Sequence, residues 1–249
     1  MTNGINKVGD AISRLHRSRR DSAMVALLVI QSITVYGLIP ATASRPSVLV
    51  SLVGVLPLLF SALVVRITRI EWTFAVGSIA IALSVAIIVL DCFQHYPLAL
   101  VGADVLAITT FLLLTVAIFA TVFASGRFSV YRALGSIVIY LNIGLLFTLV
   151  FRLITLLSVN AFSGLPQASD HSGFRATLEY FSFSTLTSAG FGDILPISPM
   201  ARGLTIFEAS IGHLYPATVL ARIVSMAMQA RGEHDENDAG ATKNKRFVK

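Results

Sequence analysis

The sequence predicts an all-α membrane protein of six transmembrane helices, with a short re-entrant helix and loop between the fifth and the sixth. Three observations carry this. Of the 249 residues, 55% are hydrophobic and 13% charged, against roughly 25% charged in soluble domains, and the mean hydropathy is +0.79. Six apolar runs, at residues 23–44, 47–65, 73–93, 98–124, 133–159 and 201–228, have the length of about 20 residues that a helix needs to cross a bilayer. The basic residues between those runs fall mainly on one side of them.

Residues 1–22 form a basic stretch carrying Arg14, Arg17, Arg19 and Arg20. Arg66 and Arg69 follow the second run, Arg127 and Arg132 follow the fourth, and Arg231, Lys243, Lys245, Arg246 and Lys249 trail the sixth; Arg45, Arg175 and Arg202 lie in the opposite loops. The excess of positive charge on one side puts both termini in the cytoplasm and the loop before the sixth helix outside, in a cell membrane crossed several times. The same residues account for the isoelectric point near 9.8, which in such a chain reflects topology and contact with anionic lipid rather than nucleic-acid binding. Ala41-Thr42-Ala43 imitates a signal-peptide cleavage site, but the apolar run before it exceeds a signal core, so the first helix is expected to be retained.

Residues 23–124 form a four-helix scaffold. The fourth run contains no arginine or lysine, whereas a voltage sensor needs several along one helix. Cys92 stands alone, so no intrachain disulfide is possible. No spaced metal ligands and no set of nucleophile and base point to an enzyme, and no cofactor is implied. The polar residues 229–249 are expected to form a cytoplasmic tail without fixed structure.

Residues 133–228 hold the remaining signals. Between the fifth and sixth runs, residues 175–187 read as a helix of about 20 Å at 1.5 Å per residue, too short to cross. Tyr180, Phe181, Phe183 and Ser184 lie on it, in position to support the segment that follows. That segment is Thr187-Ser188-Ala189-Gly190-Phe191-Gly192-Asp193. Aiming successive carbonyls to one side requires dihedrals that alternate in hand, and glycine enters the left-handed region cheaply. Gly190 and Gly192 supply it, so the carbonyls of Ser188, Ala189, Gly190 and Phe191, with the Ser188 hydroxyl, suit the replacement of water around a dehydrated monovalent cation.

Residues 185–193 resemble the pore loop of the potassium-channel superfamily, whose pattern is T-x-T-T-V-G-Y-G-D. Ser188 stands for threonine and keeps a hydroxyl, Ala189 stands for valine, and Phe191 for tyrosine. The resemblance covers the last ninety or so residues, from the fifth run onward. It implies a homotetrameric, passive potassium channel in which Asp193 is the outer-mouth carboxylate and K+ is the permeant ion. A weakly selective cation channel, favoured by the smaller Ala189, and a membrane sensor or assembly protein with a non-conducting loop are the alternatives.

The sixth run carries Gly212, twenty positions after Gly192, where the family has an inner-helix hinge; close helix packing is the competing reading. Pro216 is expected to kink the same helix. Arg152 and Glu208 are ionisable residues inside runs, and their depths, each roughly 10 Å from the outer end at helical rise, match. They form an ion pair, or else Arg152 snorkels outward while Glu208 faces pore water or stays protonated.

Overall fold

The computed structural model of the chain describes residues 25–38, 97–123, 130–158, 160–166 and 171–247, with isolated positions at 22, 41, 75, 78, 79, 82, 83 and 86, and gives only the backbone of residues 229–247. The expected second and third helices, Cys92, residues 1–21 and the Ala41-Thr42-Ala43 motif lie wholly or largely outside the described residues.

Five helices occupy the described residues. α1 is Val25–Leu38, its last part, Thr34–Leu38, wound as a π-helix. α2 is Pro97–Phe123, α3 is Val130–Leu157, α4 is His171–Leu186 and α5 is Pro199–Phe247. Among the described residues one helix, Arg132–Leu157, is long and apolar enough to cross a membrane, and Val25–Leu38 and Asp104–Ala120 are shorter apolar helices.

Two packed interiors share α3. The first joins α1, α2 and α3 through Leu27, Phe111, Leu114, Ile118, Ile139 and Leu145. The second joins α3, α4 and the start of α5 around three aromatic rings, Phe151, Phe162 and Phe181, whose centroids lie 5.1–5.5 Å apart in edge-to-face pairs. That geometry sets the positive edge of one ring against the negative face of the next.

Several polar side chains inside the first interior are joined in pairs, while Gln31 Oε1, Asn142 Nδ2 and Thr115 Oγ1 are buried without a partner among the described residues. Gln31 Nε2 donates to Asn142 Oδ1 at 2.7 Å, linking α1 to α3. Arg152 Nη2 meets Asp104 Oδ1 at 3.1 Å, linking α3 to α2. Thr110 and Thr148 return their hydroxyls to the carbonyls of Leu106 and Gly144, four residues earlier in their own helices.

Two features depart from the sequence-based expectation. The segment before α4 is clipped to the segment after the loop by a two-residue antiparallel ladder, β1 (Phe162–Ser163) with β2 (Leu195–Pro196), in register Phe162↔Pro196 and Ser163↔Leu195. Gly164, with φ of 82°, comes so close to the backbone at Asp193 that a Cβ there would strike the Asp193 carbonyl. The tail expected to lack structure continues α5 to Phe247, since extending an existing helix needs no new nucleus.

Candidate functional site

The loop begins where α4 ends, and its hydrogen bonds show how. The Ser188 N–H donates to Thr185 O at 2.9 Å and the Ala189 N–H to Ser184 O at 2.8 Å, the crossed pair of a Schellman cap in which the residue past the helix is left-handed. That residue is Ser188, at φ 59°, where glycine is the usual occupant. Gly190 N–H adds a third bond to the Ser184 carbonyl at 3.2 Å. Ser184 therefore supports the loop through its backbone, while its own hydroxyl turns back to Phe181 O at 2.9 Å.

From this cap onward every second residue is left-handed: Ser188 at 59°, Gly190 at 52° and Gly192 at 79°. The sequence reading assigned that role to the two glycines alone. Thr187, Ser188, Ala189, Gly190, Phe191, Gly192 and Asp193 are all exposed in the single chain. Asp193 closes the loop by accepting the Ile194 N–H at Oδ1, 3.2 Å.

The aromatic residues of α4 divide their work. Tyr180 stacks on Phe191, centroids 5.8 Å apart with the rings 13° from parallel. Phe181 turns away into the interior with Phe151 and Phe162. Phe183 meets Tyr36 of α1 edge-on at 6.1 Å. A cavity of about 390 Å³ opens behind the loop, lined by Tyr36, Glu179, Phe183, Ala189 and Phe191 among others, so Ala189 is backed by space on this side.

The expected Arg152–Glu208 pair does not form. Arg152 turns toward α2 and binds Asp104, while Glu208, fully buried, points at α4, where its Oε1 lies 2.5 Å from the Ser182 hydroxyl. Equal depth had suggested the pair, but the two side chains leave their helices toward different neighbours. The Ser182 hydroxyl also lies 2.7 Å from Gly144 O on α3, so one serine joins α3, α4 and α5. A hydroxyl has one proton to donate, and both contacts are satisfied when the carboxyl supplies the second.

Gly212 is packed against the end of α4: a Cβ there would fall on the carbonyl of Leu186. The same carbonyl accepts the Tyr140 hydroxyl of α3 at 3.1 Å. Pro216 lies inside α5, at the position whose N–H would otherwise serve the Gly212 carbonyl, and the helix continues through it. His213 Nδ1 lies 2.9 Å from the Ser188 hydroxyl. Two residues on, Tyr215 stacks on Tyr140 at 5.9 Å and donates its hydroxyl to Ser136 O at 2.8 Å.

Sequence reasoning missed Ser182, Gly164 and Tyr140. A serine on a helix and a glycine in a loop carry no signal beyond their type, and Tyr140 reads as one aromatic among many in an apolar run. Among the described residues no cluster of three or more histidine, cysteine, aspartate or glutamate side chains is placed to hold a metal ion.

Comparison with known proteins meets this geometry at the same residues. A family model described as "Ion channel" matches residues 173–229, from α4 through the loop and into α5. No curated protein and no solved structure matches the chain. The match covers the capped helix, the loop of alternating hand and the helix packed against its foot, and over this segment it supports an ion channel of the potassium-channel-like pore-loop superfamily.

Proposed function

We propose that the chain conducts potassium passively down its electrochemical gradient, as a homotetramer in which four copies of the loop surround one axis. The observation that carries this reading is the left-handed φ at Ser188, Gly190 and Gly192, since alternation in hand is what turns consecutive carbonyls to one side. In this reading the carbonyls of Ser188, Ala189, Gly190 and Phe191, with the Ser188 hydroxyl, replace the water of a dehydrated cation. Each chain has one such loop, so a cage of fourfold symmetry needs four chains.

Tyr180, stacked on Phe191, stiffens the outer part of the loop, and Asp193 concentrates cations at its mouth. Gly212 and Pro216 form a bend in the inner helix that serves gating. Both termini are cytoplasmic, and the basic residues 1–22 lie against anionic lipid headgroups. Purified protein in liposomes under a potassium/sodium gradient tests the reading: it predicts potassium flux with a reversal potential near the potassium equilibrium value. No flux of any monovalent cation would identify a non-conducting sensor or assembly protein instead.

A second reading, a weakly selective monovalent cation channel, draws support from the cavity beside Ala189. A loop without close packing behind it adapts to a smaller ion more readily. The same recording separates the two, because weak selectivity moves the reversal potential toward zero in that gradient.

A further inference from the structure

Ser188 is held from two directions. Its backbone is fixed by the cap on α4, and its hydroxyl lies 2.9 Å from Nδ1 of His213 on α5, 25 residues away in sequence. The distance between the two side chains is set by backbone packing. His213 follows Gly212, whose Cα rests against the Leu186 carbonyl, and Leu186 stands two residues before Ser188. Tyr140 ties down that same carbonyl from α3. A contact fixed at neighbouring points on both of its elements keeps a narrow geometry.

The geometry points to His213 as a specificity-determining residue of the pore, one that holds the Ser188 hydroxyl so that its oxygen lone pairs, and not its proton, face the permeant cation. The inference rests on the reading of residues 188–191 as the cation-coordinating loop. A hydroxyl binds a cation through its lone pairs, so its proton must have an acceptor elsewhere. An imidazole with its proton on Nε2 offers Nδ1 as that acceptor: Ser188 donates, and both lone pairs of Oγ remain for the ion. Serine needs such a partner more than threonine does, because it lacks the γ-methyl that restricts χ1. Both side chains are exposed in the single chain, so this hydrogen bond is not one that closes the interior. His213 acts on the ion through Ser188 and is a positioning residue.

The test uses the full chain in planar bilayers, with the permeability ratio of sodium to potassium taken from reversal potentials. His213→Leu removes the acceptor and is expected to raise the ratio about fivefold or more, the factor that one hydrogen bond at the ligating oxygen corresponds to. His213→Asn places an acceptor oxygen near the position of Nδ1 and should restore most of the selectivity. Ser188→Ala alone should give a shift like that of His213→Leu, and adding His213→Leu to it should change nothing further. Ser188→Ala keeps the test open to refutation even where a histidine variant does not assemble. A ratio in His213→Leu within twofold of wild type, no recovery in His213→Asn, no shift in Ser188→Ala, or independent effects of the two substitutions would each overturn the inference while leaving a selective wild-type channel in place. A wild-type chain that passes no potassium overturns the channel reading and this inference together.

Discussion

α3 faces two neighbourhoods that are held together by different kinds of atoms. Toward α1 and α2 the polar contacts join side chain to side chain: Gln31 with Asn142, and Arg152 with Asp104. Toward α4 and α5 they end on backbone oxygens: Tyr140 on Leu186 O, Ser182 on Gly144 O and Tyr215 on Ser136 O. A pair of side chains can be exchanged for another pair that fills the same space, whereas a carbonyl cannot be substituted away. The scaffold side should therefore tolerate compensated change, and the pore side should not.

The largest effect on assembly stability is expected at the ion pair. Asp104→Leu strands the Arg152 charge and should cost about 3–5 kcal/mol, while combining it with Arg152→Met should recover much of the loss. Thermal dissociation of the oligomer in detergent, followed for both single variants and the double, measures the coupling. Additive losses would remove the contrast drawn here, since the residues would then act separately.

Gly212→Ala sharpens the contrast from the other side. The added methyl meets the Leu186 carbonyl, and overpacking of this kind costs about 1–3 kcal/mol. No change at Leu186 relieves it, because the obstacle is backbone. The variant should lose current, and Leu186→Ala should fail to rescue it. A rescued current would show that the Leu186 side chain, and not its carbonyl, limits the space at Gly212.

A smaller loss is expected for Gln31→Leu, which leaves Asn142 without its partner from α1; membrane hydrogen bonds of this type average about 0.6 kcal/mol. Glu208→Gln should be milder still, since the amide keeps an oxygen and a proton donor for Ser182, whereas Glu208→Leu should destabilise the oligomer clearly. Equal stability of the Gln and Leu variants would mean that the Ser182 contact contributes nothing. The smallest effect concerns voltage. α2 carries no arginine or lysine, and without cationic charge to move through the field open probability should vary little with membrane potential. Several gating charges per channel in current–voltage recordings would contradict this.

How legible these features were depends on whether their cause is local. Gly190 and Gly192 were readable because left-handed backbone restricts residue type, and the fifth and sixth apolar runs overlap α3 and α5 because spanning length is a local count. Side-chain azimuth is not local. Arg152 and Glu208 have matching depths, yet the residue that meets Arg152 is an aspartate in the preceding run that no depth argument selects. The neighbours of Phe181 and Phe183 escaped the sequence for the same reason: a row of aromatics on a short helix shows that walls exist, but not which residues they meet. The β1–β2 clip was invisible because two-residue ladders carry no periodicity.

The central proposal is that the carbonyls of residues 188–191 coordinate cations because the backbone from Ser188 to Gly192 alternates in hand, and Gly190→Ala tests it most directly. A Cβ at Gly190 meets nothing within 4 Å in the chain, unlike one at Gly212, so the substitution acts through dihedral preference alone, about 1–2 kcal/mol per chain, repeated in every subunit. Potassium current and its reversal potential in a potassium/sodium gradient would be recorded for wild type and variant, each checked for tetramer assembly. The account predicts a wild type reversing near the potassium equilibrium value and an assembled Gly190→Ala tetramer with no potassium-selective current. Wild-type conductance and selectivity in that tetramer would contradict it.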